Sequence, residues 1–223
     1  MAYRVLVRGS GDVGSAVAHA LFLAGHRPAI HDAPDPAVAR RLMAYSDALY
    51  DDRAELDGVV ACHCPVEGLA KAMTGAAFIP ITAAAFTETL AAQAWDVLVD
   101  ARMRKRCVPE DQRGLVPLVI GLGPNFQAGG NVDIAIETSY EDLGRVLREG
   151  TTLPLRGEPR PIGGIGRERY VYAPTVGPFE AILDLKTPVV RGQPVARIGE
   201  VILTAPVGGA IRSLARSGIV VQT

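Results

Sequence analysis

Apolar and polar positions near the start of the chain follow first a strand pattern and then a helix pattern. A short apolar run from Tyr3 to Gly9 is typical of a buried strand. From Val13 to Ala24, apolar residues recur three and four positions apart, and Gly25 comes directly after them. This spacing predicts an amphipathic helix that ends at a glycine.

A second strand and a second helix are predicted directly after the first pair. Residues Pro28–Asp32 form a run of strand type. Asp35 followed by Pro36 is typical of a helix start, because aspartate caps a helix and proline fits its first position. The residues that follow predict a helix from Ala37 to Tyr45.

Strand-like and helix-like segments alternate in the same way to about residue 150. Ser139 and Asp142 resemble a capping box, which predicts that a last helix runs from Tyr140 to Glu149. Strands that alternate with helices of about ten residues indicate a parallel sheet covered on both faces. We therefore predict an α/β fold in which residues 1–150 form a doubly wound, mostly parallel, Rossmann-like domain. The other predicted strands are Gly58–Cys62, Phe78–Ile81, Trp95–Val99, Pro117–Leu122 and Val132–Ile136, and the other predicted helices are Val66–Met73 and Ala83–Ala94.

The sequence changes in character after Gly150, where prolines and glycines interrupt every periodic pattern up to Pro178. We place a Gly/Pro-rich linker at residues 151–170. Short β-type segments separated by turn residues follow it, so residues 171–223 are predicted to form a small all-β module.

The overall composition excludes some classes of protein. The chain has 223 residues with 23 basic and 24 acidic side chains, and a formal net charge of −1. A charge near zero excludes a bulk basic protein of the kind that coats nucleic acid. The residues after Met1 do not form a signal peptide, and no window approaches about 18 uncharged apolar residues. We expect a cytoplasmic protein that binds neither nucleic acid nor a membrane.

The connection between the first strand and the first helix carries a phosphate-binding pattern. Its first glycine allows a tight turn, its second lets a pyrophosphate approach the backbone, and its third lets helix and strand pack closely. The alternative is that these glycines only form a tight turn. In addition, the Asp12 carboxylate within the pattern would repel a pyrophosphate unless it points away or caps the helix. The pattern G-x-G-x-x-G is formed by Gly9, Ser10, Gly11, Asp12, Val13 and Gly14.

Asp32 ends the predicted second strand, 18 residues after Gly14. An acidic group at this place accepts hydrogen bonds from the hydroxyls of an adenosine ribose. No arginine follows directly, since the next residues are Ala33 and Pro34, and a 2′-phosphate would meet a like charge. We therefore expect NAD rather than NADP, or else another adenine or cytidine nucleotide.

Further candidate ligand-binding residues follow two later strands at the carboxyl edge of the sheet, where open α/β folds bind ligands. Asp100 and Arg102 come after one strand, and Arg102 can hold a small anionic ligand through two hydrogen bonds. An ion pair of Arg102 with Asp100 or Glu137 that only braces the loop is the alternative. Gly123 and Asn125 lie in a glycine-rich element after the next strand, which either floors a pocket or is a turn. The other basic residues of this stretch are interpreted as a solvated loop: Arg104, Lys105 and Arg106.

Metal binding and covalent catalysis are not indicated. Cys62, His63 and Cys64 carry groups that suit zinc, yet a structural zinc site needs four ligands and no second pair lies at ligand spacing. Three cysteines also do not form a secreted disulfide framework. No serine or cysteine lies in a nucleophile pattern such as G-x-S-x-G. We expect no metal site, and the residues leave open whether the protein is an enzyme.

Several segments match a known set of motifs in collinear order over most of the chain. They are Val5–Asp12, Val97–Met103, Val119–Gly129, and Ile136–Thr138 with Leu143–Val146. Together they resemble the family of selenium-dependent molybdenum hydroxylase system proteins. That resemblance implies association with molybdenum-cofactor hydroxylases such as xanthine dehydrogenase, and it supplies no specific reaction. It marks as motif positions Arg8, Gly9, Gly11, Asp12, Asp100, Arg102, Gly123, Pro124, Phe126 and Glu137.

This chain departs from the family pattern at two internal places. Thr82 and Ala83 stand where the family usually has an Asp-Pro pair, and Asn125 stands where it usually has glycine.

The region from Tyr172 to Val221 resembles a biotinyl/lipoyl-type barrel-sandwich module. Carrier function in such a module needs a lysine at the tip of one hairpin. The corresponding turn here reads Ile198-Gly199-Glu200-Val201 and contains no lysine. We expect no covalent biotin or lipoate, and a structural or docking role for this module.

These observations lead to one leading hypothesis and two alternatives. The leading hypothesis is a nucleotide-binding accessory protein that assists maturation of a molybdenum hydroxylase, with that hydroxylase or its maturation proteins as partners. The first alternative is an NAD-dependent oxidoreductase that acts on a small anionic substrate, although no obvious proton donor is visible. The second is a non-catalytic interaction protein whose glycine-rich turn stays empty. Homo-oligomer formation is left open.

Overall fold

The computed structural model describes residues 1–36, 38–75, 77–104, 107–155 and 159–222. The chain divides into two compact units. The first contains Met1–Pro36 and Leu42–Leu155, and the second contains Ala37–Arg41 and Arg156–Thr223. The first unit contains β1 (Arg4–Arg8), α1 (Asp12–Leu23), β2 (Arg27–His31), α2 (Ala48–Asp51), β3 (Arg53–Leu56), β4 (Val59–His63), α3 (Leu69–Gly75), β5 (Ile79–Thr82), α4 (Phe86–Ala91), β6 (Val97–Asp100), β7 (Leu118–Leu122), β8 (Gln127–Ala128), β9 (Ile134–Ile136), β10 (Val146–Leu147) and β11 (Gly150–Thr151).

A large, mostly parallel sheet forms the centre of the first unit, so the chain belongs to the α/β class. Its strand order is β10-β9-β7-β6-β1-β2-β5-β4-β3. Only the outer pairs, β10 with β9 and β3 with β4, are antiparallel among the described strands of this sheet. A further pair, β8 with β11, lies outside it. The predicted strands at 58–62, 78–81, 95–99, 117–122 and 132–136 are confirmed within a few residues.

Both faces of this sheet are buried. Val5 and Val7 of β1 pack in one apolar cluster with Ala18 of α1. Leu6, which points to the opposite face, packs in a second cluster with Leu69 of α3. Successive side chains of a strand point to opposite faces, so a strand covered on both sides is apolar throughout, as β1 is.

The helix predicted from Ala37 to Tyr45 is wrong. Residues 38–44 form turns and bends, followed by a 3₁₀ turn at Tyr45–Asp47 and the short α2, while Ala37 lies outside the described residues. The backbone N–H of Leu214 donates to the Ala39 carbonyl at 2.8 Å, and Leu42 has a left-handed φ of 61°. A helix needs its own carbonyls and right-handed dihedrals, so these features override the local start signal.

The helix predicted from Tyr140 to Glu149 is also wrong. The segment instead turns back, and β10 pairs with β9 in antiparallel register. Gly144 has a φ of 83° and donates its N–H to the Glu137 carbonyl at 2.9 Å. The Glu137 N–H donates in turn to Arg145, so hairpin hydrogen bonds take the groups that a helix would have used.

The second unit consists of small antiparallel sheets. One has the order β15-β14-β12-β17 and the other pairs β13 with β16, and this pairing does not close a barrel within residues 159–222. Phe179 and Ile198 belong to its apolar core. Its strands are β12 (Gly177–Ala181), β13 (Pro188–Val189), β14 (Pro194–Ile198), β15 (Val201–Thr204), β16 (Gly209–Ala210) and β17 (Val220–Val221).

No helix in the described part of the chain is long and apolar enough to cross a membrane.

Candidate functional site

The order of the strands selects one edge of the large sheet as a candidate site. From β1 the chain passes to β2 on one side, and after β5 it returns to β6 on the other side of β1. In open α/β sheets, ligands bind outside the carboxyl ends of the strands where the order reverses in this way. β1 ends at Arg8 and β6 ends at Asp100, and these two residues are register partners.

A cavity of about 430 Å³ opens at this edge. Arg8, His31, Asp32 and Arg102 contribute its polar wall, and the segment 83–85 contributes an apolar wall. Volumes of roughly 300–1,000 Å³ are usual for small-molecule sites. The structure therefore brings two of the predicted residues, Asp32 and Arg102, to one cavity.

The glycines of the G-x-G-x-x-G turn differ in why they are glycines. Gly9 has a φ of 104°, and an added Cβ would lie 3.0 Å from backbone atoms of Arg102. A Cβ on Gly14 would lie 1.9 Å from the Gly9 carbonyl oxygen. Gly11 caps α1 with φ −66° and ψ −178°, and its Cβ would meet nothing within 4 Å among the described residues. The fold requires Gly9 and Gly14, whereas it does not require Gly11.

Asp32 holds the glycine-rich turn in place. Its Oδ2 accepts the backbone N–H and the hydroxyl of Ser10, both at 2.6 Å, and its Oδ1 accepts the N–H of Ala33 at 2.8 Å. A carboxylate offers about four acceptor positions, so three are used and about one remains. The carboxylate can thus accept a hydrogen bond from one ribose hydroxyl. To accept a second one, it must lose one of its hydrogen bonds from Ser10.

The two remaining residues of the pattern have different positions. Asp12 is the first residue of α1, where a negative charge is favoured by the helix dipole. Val13 packs, partly buried, against the apolar cluster of one sheet face. The role of Val13 is therefore packing of the helix on the sheet.

Asp100 and Arg102 form a tight pair behind the cavity wall. Asp100 is 1% exposed and accepts Arg102 Nε at 2.9 Å, Arg102 Nη2 at 2.5 Å and Gln112 Nε2 at 2.8 Å. Burial raises the pKa of Asp100, but the hydrogen bonds from Arg102 outweigh it and leave that pKa below its ordinary value. Of the two loop-bracing ion pairs considered for Arg102, the one with Asp100 is therefore formed.

Arg8 is the second cation of this wall. Its Nη1 donates to Glu110 at 2.8 Å and to Gln112 at 2.6 Å, and its guanidinium lies 3.7 Å from the centre of the Phe86 ring. Burial and the neighbouring Arg102 lower the pKa of Arg8. Arg8 Nε is buried and has no hydrogen-bond partner among the described residues.

His31 lines the cavity without offering a proton to it. Its Nε2 lies 3.0 Å from the Ala84 carbonyl, which only accepts, so Nε2 carries the hydrogen. Its ring packs against Phe86 at 5.3 Å, and burial lowers the pKa of His31. The lowered pKa favours the neutral form of the ring.

Gly123 and Asn125 lie in the turn after β7 and are not among the residues that line the cavity. Gly123 has a φ of 118°, and a Cβ there would lie 2.8 Å from Met103 Sδ. Asn125 has a left-handed φ of 66°, a conformation that asparagine tolerates better than most residues. Asn125 can therefore adopt the backbone conformation that usually favours glycine. The turn packs against the loop that carries Arg102.

The cysteines do not form part of a metal centre in the described part of the chain. No group of three or more His, Cys, Asp or Glu side chains there could hold a metal ion. Burial raises the pKa of the Cys64 thiol. Of the basic stretch, Lys105 and Arg106 lie outside the described residues, and Arg104 forms an ion pair with Glu110.

Sequence reasoning missed Glu110, Gln112 and His31. His31 had a local signal, because it is a polar residue at the carboxyl end of an apolar strand. Glu110 and Gln112 lie in an irregular segment well after β6, where no local pattern marks them. Only the fold brings them to Arg8 and Arg102.

Comparison with known proteins gives a relative of much greater length. The protein described as uncharacterized protein YqeB of Escherichia coli strain K12 is 31% identical to this chain over 218 residues. Those residues are 97% of this chain and 40% of YqeB, so the chain spans about two fifths of that protein. No protein-family profile matches the chain, and no solved structure matches it significantly.

Proposed function

We propose that this chain is a nucleotide-binding accessory protein of a molybdenum-cofactor hydroxylase. In this proposal the large sheet is a doubly wound, Rossmann-like domain. Its ligand, NAD or another adenine or cytidine nucleotide, lies along the turn from Gly9 to Gly14 and against the Asp100–Arg102 edge. The link to a hydroxylase rests on the resemblance of the motifs.

The observation that carries the nucleotide part is Gly11. Its dihedrals suit any residue, and the described residues leave the space beside it open. Glycine at such a position is what a pyrophosphate needs in order to approach the backbone at a helix N-terminus. The cavity at the strand-order reversal is lined by Asp32, which also holds Ser10 of the turn, although no residue from Gly9 to Gly14 lines it.

The accessory role is favoured over an NAD-dependent oxidoreductase by the state of His31. Proton transfer to a substrate needs a group within hydrogen-bond reach whose pKa suits the task. His31 Nε2 donates its hydrogen bond to the Ala84 carbonyl, and burial lowers the pKa of the ring. His31 is therefore a poor proton donor, and its Nδ1, which has no hydrogen-bond partner among the described residues, can only accept a proton.

For the second unit we propose a barrel-sandwich-type docking module without carrier function. The hairpin of β14 and β15 turns at Gly199 and Glu200, so its tip carries a carboxylate and not an amine. A covalent cofactor of the biotin or lipoate type is attached through a lysine amine.

A thermal-shift screen tests the nucleotide part. Trp95, the chain's single tryptophan, is 4% exposed in the first unit, so its fluorescence reports unfolding of that unit. We expect one compound among NAD, NADP, ATP, CTP and a molybdopterin precursor to raise the unfolding temperature. At about 100 times Kd the stabilisation is about 2.7 kcal/mol, which corresponds to several degrees. No shift with any of them would favour an interaction protein with an empty turn.

A further inference from the structure

Three arginines converge on one carboxylate at the candidate site. Glu110 Oε1 accepts Arg8 Nη1 at 2.8 Å and Arg102 Nη2 at 2.7 Å, and its Oε2 accepts Arg104 Nη2. The cluster contains one further carboxylate, that of Asp100. Among these residues three positive charges face two negative ones, so the cluster keeps an excess positive charge.

The two carboxylates are held very differently. Asp100 is 1% exposed and is fixed by Arg102 and Gln112. The Glu110 side chain is 46% exposed. Asp100 is therefore part of the framework, whereas the Glu110 carboxylate borders solvent.

Glu110 can leave the cluster by rotation of its side chain alone. The Asn131 side chain donates to the Pro109 carbonyl at 3.1 Å, and the Gln112 N–H donates to the Asn131 carbonyl at 2.9 Å. These bonds fix the backbone on both sides of Glu110. Its departure exposes the guanidinium groups without moving the loop.

Two of the three arginines border the cavity, whereas Arg104 and Glu110 are not among its lining residues. Arg8 and Arg102 line it, and Arg8 Nε is a buried donor without a partner among the described residues. Planar guanidinium groups bind phosphates and carboxylates through paired hydrogen bonds. An anionic group at the edge of the cavity therefore competes with Glu110 for the donors of Arg8 and Arg102.

We infer that Arg8, Arg102 and Arg104 form an anion-binding subsite whose place is held by the Glu110 carboxylate, and that the phosphate or carboxylate group of the ligand displaces that side chain. The inference rests on the proposed function, because it names the part of that site which takes the ligand's anionic group. The ligand must compete with the Glu110 carboxylate for these arginines, so only a ligand with a strong, multivalent anionic group binds there.

Calorimetric titration with inorganic pyrophosphate tests this inference. Glu110→Gln keeps the shape and removes the charge, so it should bind pyrophosphate at least about tenfold more tightly than the wild type. Asp111→Asn is the matched control, because it removes the same charge one residue away, where Asp111 faces Arg113 instead. Its affinity should equal that of the wild type.

Adding Arg104→Ala to Glu110→Gln should reverse the gain. Equal affinity of Glu110→Gln and wild type, or an equal gain in Asp111→Asn, would overturn the inference. If Glu110→Gln does not fold, Glu110→Asp serves, since the shorter side chain withdraws the carboxylate and should give the same direction of change.

Because the proposed function places phosphates beside Gly11, the titration is repeated in a Gly11→Val background, where a gain from Glu110→Gln reports the subsite alone. A gain in Glu110→Gln supports the subsite even where no nucleotide binds. Gly11-dependent binding of a nucleotide together with no gain of pyrophosphate affinity would overturn the subsite alone.

Discussion

Arg102 connects a buried carboxylate with a half-exposed one. Its Nε and Nη2 both bond to Asp100, and Nη2 also bonds to Glu110. A lysine in its place carries the same charge on a single nitrogen and cannot make this pattern. The residue thus braces the loop after β6 and lines the cavity at the same time.

Arg102→Lys should lower the free energy of unfolding of the first unit by about 1–3 kcal/mol, the scale of a charged hydrogen bond left unmade. Urea denaturation followed by Trp95 fluorescence measures this. Arg113→Lys is the control, because Arg113 is exposed and faces Asp111 at 3.5 Å. Equal stability of Arg102→Lys and wild type would contradict the bracing role, and unchanged ligand affinity would remove Arg102 from the site.

The carboxylate of Glu137 accepts hydrogen bonds from backbone N–H groups of two segments. It accepts the N–H groups of Thr138, Ser139 and Leu153, each at 2.7 Å. Burial raises the pKa of Glu137, but these bonds outweigh it and leave the pKa below its ordinary value of 4.5. The position that resembles a family motif is therefore structural in this unit.

A lowered pKa makes the contribution of Glu137 to stability depend on pH. The unfolded chain binds the proton more tightly, so the contribution is full above pH 4.5 and disappears as the pH falls through the lower folded pKa. Glu137→Gln should lose about 2 kcal/mol near pH 7, and this loss should shrink progressively as the pH falls below 4.5. Urea titrations of both proteins at each pH check this, and a difference that does not shrink in acid would refute it.

At the scale of elements, the turn from β1 into α1 is the best-determined part of the fold. The pattern predicted it because strand, glycines and apolar helix positions follow each other within about 20 residues. The turn tolerates no side chain at position 14, because a Cβ added to Gly14 would lie 1.9 Å from the Gly9 carbonyl oxygen. Local signals of this kind need no distant partner.

Gly14→Ala should destabilise the first unit by more than about 3 kcal/mol or prevent its folding, because the neighbouring backbone must move. Gly11→Ala should cost no more than about 1 kcal/mol, the scale of a poorer N-cap residue, because the described residues leave that space open. Urea unfolding of the two variants measures the contrast. Similar losses at both positions would mean that the turn has a different geometry.

Elements that depend on distant partners could not be predicted in this way. Asp35 and Pro36 have the pattern of a helix start, yet no helix begins there among the described residues, and Ala39 pairs with Leu214, nearly the whole chain away. The capping-box pattern at Ser139 is overruled by the Glu137 carboxylate and the β9–β10 hairpin. Strand β3 was missed although Asp57 and Gly58, both with positive φ, form a typical hairpin turn before β4.

For the candidate site, too, the sequence predicts the residues that carry a local signal and misses those that only the fold brings there. Asp32 and Arg102 follow strand ends, and parallel strands bring their carboxyl ends to one edge. Glu110 and Gln112 reach that edge only through an irregular segment. Their partners, Arg8 and Asp100, were visible as charged residues at the ends of apolar strands, but the pairing was not.

At the scale of the whole molecule, the second unit includes the early segment Ala37–Arg41 as well as the end of the chain. A division of the sequence into consecutive domains cannot express this. The predicted boundaries at 150 and 170 were based on prolines and glycines, which mark turns and not membership of a core.

Intact-mass analysis of protein purified from its native host tests the role of the second unit. The mass should match the sequence without biotin or lipoate, because the hairpin between β14 and β15 has Glu200 at its turn. A Glu200→Lys variant, expressed in the same way, shows whether the hairpin is otherwise recognised by a ligase. Either mass increment on the unaltered chain would contradict a docking role without carrier function.

The central claim is that the open space beside Gly11 receives the phosphates of a nucleotide, and one calorimetric comparison tests it most directly. The nucleotide that gives the largest thermal shift is titrated into the wild type and into Gly11→Val. Gly11→Val should bind at least about a hundredfold more weakly, since the side chain occupies the pyrophosphate position, while Trp95 fluorescence shows that the variant is folded. Equal affinity in a folded Gly11→Val protein would contradict it.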